Sequence, residues 1–135
     1  MDNKELIRLA LEAREMAYVP YSGFKVGAAL LTKEGKVYKG CNIENAGYTP
    51  TNCAERTAFF KAVSEGEREF SAIAIVGGKG GLPTDYAYPC GVCRQVMMEF
   101  CNPKTFRVIP AISEDTYLDK TLEEMLPFGF GPSNL

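Results

Sequence analysis

A chain of 135 residues is about the size of one ordinary domain and is long enough to bury a sizeable core. Its 17 acidic and 15 basic residues give a formal charge of −2, spread without long runs, which excludes the basic face of a nucleic-acid binder. No stretch of about 18 apolar residues exists, and no apolar run follows Met1-Asp2-Asn3-Lys4-Glu5, so neither a membrane span nor a signal peptide is expected.

In chain order, the first predicted element is an amphipathic helix over residues 5–18, with Leu6, Leu9, Ala10, Ala13 and Ala17 on one side. Pro20-Tyr21-Ser22-Gly23 breaks it. A strand over 25–32, a tight turn at Glu34-Gly35 and a partner strand over 37–42 read as a hairpin. Thr51-Asn52 reads as the N-cap of a second helix over 53–63, in which Ala54, Ala58 and Ala62 recur every four residues beside Phe59 and Val63. The apolar run 71–76 has strand length and predicts a strand covered on both faces. The glycine-rich stretch 77–83 matches no phosphate-binding spacing and reads as a flexible loop. Pro89 stands where a third helix, 91–100, would begin. A strand near 106–112 and a short strand with a helical turn through 117–126 complete the chain. A hairpin followed by alternating helices and strands predicts one α/β domain over 1–135, with a mixed five-stranded sheet between helices.

Two strings carry chemistry: Cys53-Ala54-Glu55 and Pro89-Cys90-Gly91-Val92-Cys93. A catalytic zinc uses three protein ligands and leaves a fourth position for water, whereas a structural zinc uses four. Cys53, Cys90 and Cys93 supply three, with Glu55 as an acid/base beside them. With no histidine in the chain, a closed site could draw its fourth ligand from Cys41 or Cys101. Buried cysteine can also act as a small apolar side chain, and Cys-x-x-Cys can be a redox pair or half of a zinc knuckle. The redox reading leaves Cys53 and Glu55 unexplained and the knuckle needs a fourth ligand, so the catalytic reading is preferred. All three cysteines fall at helix N-termini, where unpaired N–H groups and the macrodipole favour thiolate, the ligating form. Cys90 and Cys93, three apart, share a helix face. Cys53 and Glu55 converge only if the metal lies off the helix end. An odd count of five cysteines, three of them given to metal, fits a reducing cytoplasm.

The two strings resemble the signature of the zinc deaminases: His or Cys, then x-Glu, then Pro-Cys-x-x-Cys. The chain as a whole is similar to the cytidine deaminase family in its small all-cysteine form. The resemblance runs through residues 18–30, Gly40-Cys41-Asn42-Ile43-Glu44-Asn45-Ala46, Cys53-Ala54-Glu55-Arg56, Pro89-Cys90-Gly91-Val92-Cys93-Arg94-Gln95 and residues 126–132. It implies a three-layer α/β/α fold, one zinc per chain, and hydrolysis of cytidine and deoxycytidine to uridine and deoxyuridine in pyrimidine salvage. Glu55 would carry protons to ring N3 and to the leaving amino group. Asn42 and Glu44 would bind the ribose hydroxyls, Phe24 would pack on the pyrimidine, and the Ala54 N–H and Tyr88 carbonyl would read the base edge. The resemblance also implies a homotetramer in which Phe130 and Tyr48 reach a neighbour's site. Three thiolates and Zn²⁺ sum to −1, which weakens a Lewis acid, and Arg56 would offset that charge. The segment 77–88 is a few residues longer than the family pattern. A deaminase for another aminopyrimidine compound and a zinc-stabilised binding module are the alternatives.

Overall fold

The computed structural model describes residues 1–135. Its first helix, α1 (Asn3–Arg14), starts at Asp2, whose carboxylate accepts the Glu5 N–H at 2.8 Å. It ends four residues before the predicted helix does. The reason is tertiary: the Tyr18 N–H donates to the Asn42 carbonyl at 3.0 Å, and the Tyr18 carbonyl accepts the Glu44 N–H at 2.9 Å. This sheet-like pairing overrides the helical pattern.

β1 (Phe24–Thr32) and β2 (Val37–Cys41) form the expected antiparallel hairpin. β3 (Phe70–Lys79) lies antiparallel on the other side of β1, and β4 (Arg107–Ser113) runs parallel to β3. β5 (Thr116–Tyr117) closes the order β2-β1-β3-β4-β5, while β6 (Lys120–Thr121) also pairs with β4. The sheet therefore has six strands rather than the five expected, since a two-residue strand is too short to leave a period-two pattern.

The sheet separates two cores. On one face α1 seats Leu6, Ile7 and Ala10 against Ala29, Ala74 and Ile109. On the other, α2 (Ala54–Ser64), α3 (Gly91–Phe100) and the short α4 (Leu122–Met125) cover Leu30, Ile73, Ile75 and Val108, with Phe59 at the centre of three aromatic neighbours. Each large side chain so buried stabilises the fold by about 1.5–3 kcal/mol. The three-layer α/β/α architecture is thus present. Residues 72–76 of β3 are fully buried, as the unbroken apolar run required.

Two glycines bring the helices onto the sheet. A Cβ on Gly27 would lie 2.1 Å from the Ala10 carbonyl oxygen of α1, and one on Gly40 would lie 2.4 Å from the Ala54 carbonyl oxygen of α2. Both helices therefore touch strand backbone directly.

The loop expected over 77–83 is corrected at its start. β3 continues through Gly77, Gly78 and Lys79, paired with Val26, Lys25 and Phe24. Glycine serves close approach here, because a Cβ on Gly77 would lie 2.8 Å from the Ala87 Cβ of the returning chain. Arg14 secures this end of the sheet. Its guanidinium, 3% exposed, donates to the Lys25 carbonyl at 3.1 Å and the Gly78 carbonyl at 2.8 Å.

Candidate active site and metal centre

Cys53 is itself the N-cap of α2, one residue beyond the Thr51-Asn52 pair expected there. Its sulfur makes no capping bond and turns instead to Cys90 Sγ, 3.8 Å away. Cys90 caps α3, accepting the Cys93 N–H at 3.5 Å, and Cys93 is buried in the first turn. The three sulfurs lie within 4.8 Å of one another. Three sulfurs at about 2.3 Å from one tetrahedral zinc would stand about 3.8 Å apart, so the triangle fits that ion.

The electrostatics fit it too. The Cys53 thiol is pulled down to about 5, first by its hydrogen bond with Cys93 and then by Arg56, against the opposing effect of burial. The same contact raises Cys93. Arg56 donates from Nη2 to Cys53 Sγ at 3.2 Å. Burial would lower its pKa, but the sulfurs of Cys53 and Cys93 raise it overall, so it stays charged. Its Nε is buried without a partner. Arg56→Gln removes this charge. Turnover should fall about tenfold or more, and zinc loss to a chelator should quicken. Unchanged turnover and metal retention would make Arg56 an ordinary helix side chain.

Glu55 follows in the first turn of α2 and is 4% exposed. Burial pushes its carboxyl up to about 7, helped by the nearby Cys53 charge. A carboxyl poised there can both take and give a proton near neutral pH. It lies at a cavity of about 290 Å³ lined by Phe24, Val26, Asn42, Cys53, Ala54, Ile75, Tyr86, Ala87, Tyr88 and Cys90. The cavity is mostly apolar with a few converging polar groups, the usual make-up of a small-molecule site.

Residues 1–109 match the family model described as the cytidine and deoxycytidylate deaminase zinc-binding region. The chain belongs to this deaminase family. It is 50% identical to a cytidine deaminase of Sporosarcina psychrophila over 135 residues, covering all of this chain and 96% of that one. A cytidine deaminase of Halalkalibacterium halodurans is 53% identical over 131 residues, covering 96% and 95%. The crystal structure of a cytidine deaminase from Burkholderia pseudomallei superposes with a TM-score of 0.87 at 48% identity, covering 96% of this chain and 100% of that one. The chain is accordingly a zinc-dependent deaminating enzyme, a hydrolase, and Cys53, Cys90 and Cys93 form the one cluster able to hold the ion.

Within this deaminase the residues expected from sequence fall into three groups. Phe24, Asn42, Cys53, Ala54, Glu55, Tyr88 and Cys90 line the cavity, and Cys93 completes the sulfur triangle behind it. Glu44 and Tyr48 line a second hollow of about 390 Å³ with Tyr21, Ser22, Asn45 and Thr51. Phe130 lines neither. It is 57% exposed, and its carbonyl accepts from Gln95 Nε2 at 2.8 Å.

The polar pair is pre-set by backbone. Asn42 accepts the Val26 N–H at 2.9 Å and donates to the Phe24 carbonyl at 2.8 Å. The Glu44 carboxylate accepts the Tyr21 and Ser22 N–H groups at 3.0 and 3.1 Å and the Ser22 hydroxyl. The Ser22 hydroxyl and backbone hold its pKa below the usual carboxylate value. Sequence reasoning missed Val26, Ile75, Tyr86 and Ala87 as cavity residues. For Val26 and Ile75 the signal was their place on the strand face that packs with α2. For Tyr86 and Ala87 it was their place just before Pro89-Cys90.

Proposed function

We propose that Glu55 is the sole proton carrier in the hydrolysis of cytidine and deoxycytidine to uridine and deoxyuridine, in which water adds at ring C4 and ammonia leaves. The observation that carries this reading is the buried Glu55 carboxyl beside three converging sulfurs at an apolar cavity. Zinc held by Cys53, Cys90 and Cys93 supplies, when bound, a water whose pKa falls from about 15.7 to about 7. Glu55 accepts a proton from water, gives one to ring N3 and later delivers one to the departing amino nitrogen. The Ala54 N–H belongs to the first turn of α2, where the helix offers it no acceptor. It donates to the carbonyl at ring C2, while the Tyr88 carbonyl accepts from the amino group. Phe24 packs on the ring. Asn42 and Glu44 hold the sugar hydroxyls, with Glu44 already oriented by Tyr21 and Ser22.

An ultraviolet assay of zinc-loaded protein tests this. Cytidine and deoxycytidine should turn over, and free cytosine should be very poor, because binding energy from the sugar positions the reacting ring. Glu44→Ala should lower kcat/KM for cytidine and narrow its advantage over cytosine. No cytidine turnover would rule out the reading, and equal rates on cytosine would rule out the sugar contacts.

Residues 1–135 act as one catalytic domain, with one zinc, in a reducing cytoplasm. Five free cysteines support that compartment, and no helix is long and apolar enough to cross a membrane. The working form is a homotetramer with composite sites. Tyr48 and Phe128 are strongly exposed and both at positive φ, and Phe130 is also exposed; each is an aromatic that a neighbouring copy would cover. Phe130→Ala should impair turnover several-fold, and mixing it with inactive Glu55→Gln chains should restore some sites. A fully active monomer at assay concentration refutes the shared site.

A further inference from the structure

The segment that leads into Cys90 supplies Tyr86, Ala87 and Tyr88 to the cavity lining. We propose that Tyr86, paired with Tyr88, forms the wall that faces carbon 5 of the pyrimidine and sets which 5-substituted nucleosides the enzyme accepts. This rests on the functional reading above. With the Ala54 N–H at the C2 carbonyl and Glu55 at N3, the C2–N3 side of the ring faces α2. Carbon 4 faces the sulfurs. Carbon 5 adjoins C4 on the side away from N3, so it faces lining that α2 does not provide; with Phe24 taken by the ring face and Asn42 by the sugar, that leaves the stretch 86–88 with Val26 and Ile75.

That wall is built rather than merely nearby. In extended chain, residues two apart point the same way. The Tyr86 and Tyr88 rings lie 5.9 Å apart, centroid to centroid, with 33° between their planes. This is within the range of favourable aromatic pairs. Ala87 between them packs on Gly77, at a spacing that leaves no room for a Cβ there. Pro83 is buried and packs on Gly78, and the Asp85 carboxylate accepts the Tyr86 N–H at 2.8 Å. The pair is thus seated on the end of β3, which Arg14 fixes from beneath through the Gly78 carbonyl. A methyl group at C5 meets an anchored double ring rather than a mobile loop. One methyl in a close-fitting apolar pocket changes kcat/KM by about 10- to 200-fold.

The test compares cytidine with 5-methylcytidine in the wild type, Tyr86→Ala and Tyr86→Phe. The wild type should prefer cytidine by about tenfold or more. Tyr86→Ala should raise the 5-methylcytidine-to-cytidine ratio of kcat/KM by about tenfold. Tyr86→Phe should keep the wild-type ratio, because the ring and not the hydroxyl makes the wall. Calorimetric binding of uridine and 5-methyluridine reads the same preference without turnover. A poorly active variant therefore still gives an answer. Were wild-type protein to lack cytidine turnover, the deaminase reading would fail while the binding ratio still judged the wall. A ratio unchanged by Tyr86→Ala, or changed equally by Tyr86→Phe, overturns the proposal.

Discussion

Glu55→Gln should give a folded protein with its full zinc content and a kcat lower by about 10³- to 10⁴-fold, the range typical of losing a general acid–base group. Glutamine has the shape of glutamate and the polarity to keep its surroundings, but it cannot carry a proton. No histidine exists anywhere in the chain to take over. The Arg56 guanidinium nearby is held charged by the sulfurs and cannot accept a proton. Stability should not suffer. The carboxyl is almost wholly buried, and burial disfavours its charged form, so a neutral amide removes a desolvation penalty. Thermal unfolding should therefore occur at the wild-type temperature or slightly above it. Turnover above a few per cent of wild type, with zinc content and fold intact, would assign the proton transfers to another group.

Removing zinc should abolish turnover and loosen the fold at once. The ion would join Cys53 to Cys90, 37 residues apart, and to Cys93. Treated as a cross-link, closing such a loop restricts the unfolded chain by about 3–4 kcal/mol. For a chain of this size that corresponds to an unfolding temperature lower by roughly 10 °C or more in the metal-free protein. X-ray absorption on the loaded enzyme should report three sulfurs near 2.3 Å and one lighter atom. Four sulfurs would mean that Cys41 or Cys101 closes the shell, and catalysis by an open site would be untenable. Cys41 ends β2 and Cys101 caps the far end of α3, and neither joins the three-sulfur cluster.

The centre of this site was legible because its chemistry is local in sequence. Cys53 and Glu55 fall within three residues, Cys90 and Cys93 within four, and Pro89 marks where α3 begins. The strands were legible where burial imposed a pattern, as in the unbroken apolar run of β3. Properties that depend on distant partners were not legible. Nothing in the sequence marks Arg14 as buried, and only the fold shows two strand carbonyls waiting for it. The early end of α1 depends on Tyr18 meeting residues 42–44. Gly77 and Gly78 read as loop because glycine is the commonest loop signal. Their reason for being glycine lies in the chain that folds back from residue 83. Tyr86 carried no periodic signal, since a segment pinned by neighbours rather than by its own hydrogen-bond ladder has none to give.

The direct seating of α2 on Gly40 has a bearing on how this enzyme tolerates change. Where a helix rests on side chains, each swap of Leu for Met or Ile for Val alters its height a little, and a catalytic group on it drifts. Here backbone meets backbone, so the height of the α2 N-terminus above the sheet is fixed independently of the side chains packed further along. The core around Phe59 can be redrawn with residues of similar volume at a cost of about 1.5 kcal/mol or less per swap, and Cys53 and Glu55 keep their aim. The same arrangement concentrates fragility in one atom. A single methyl group on residue 40 would lift the start of α2 and carry Cys53 and Glu55 away with it.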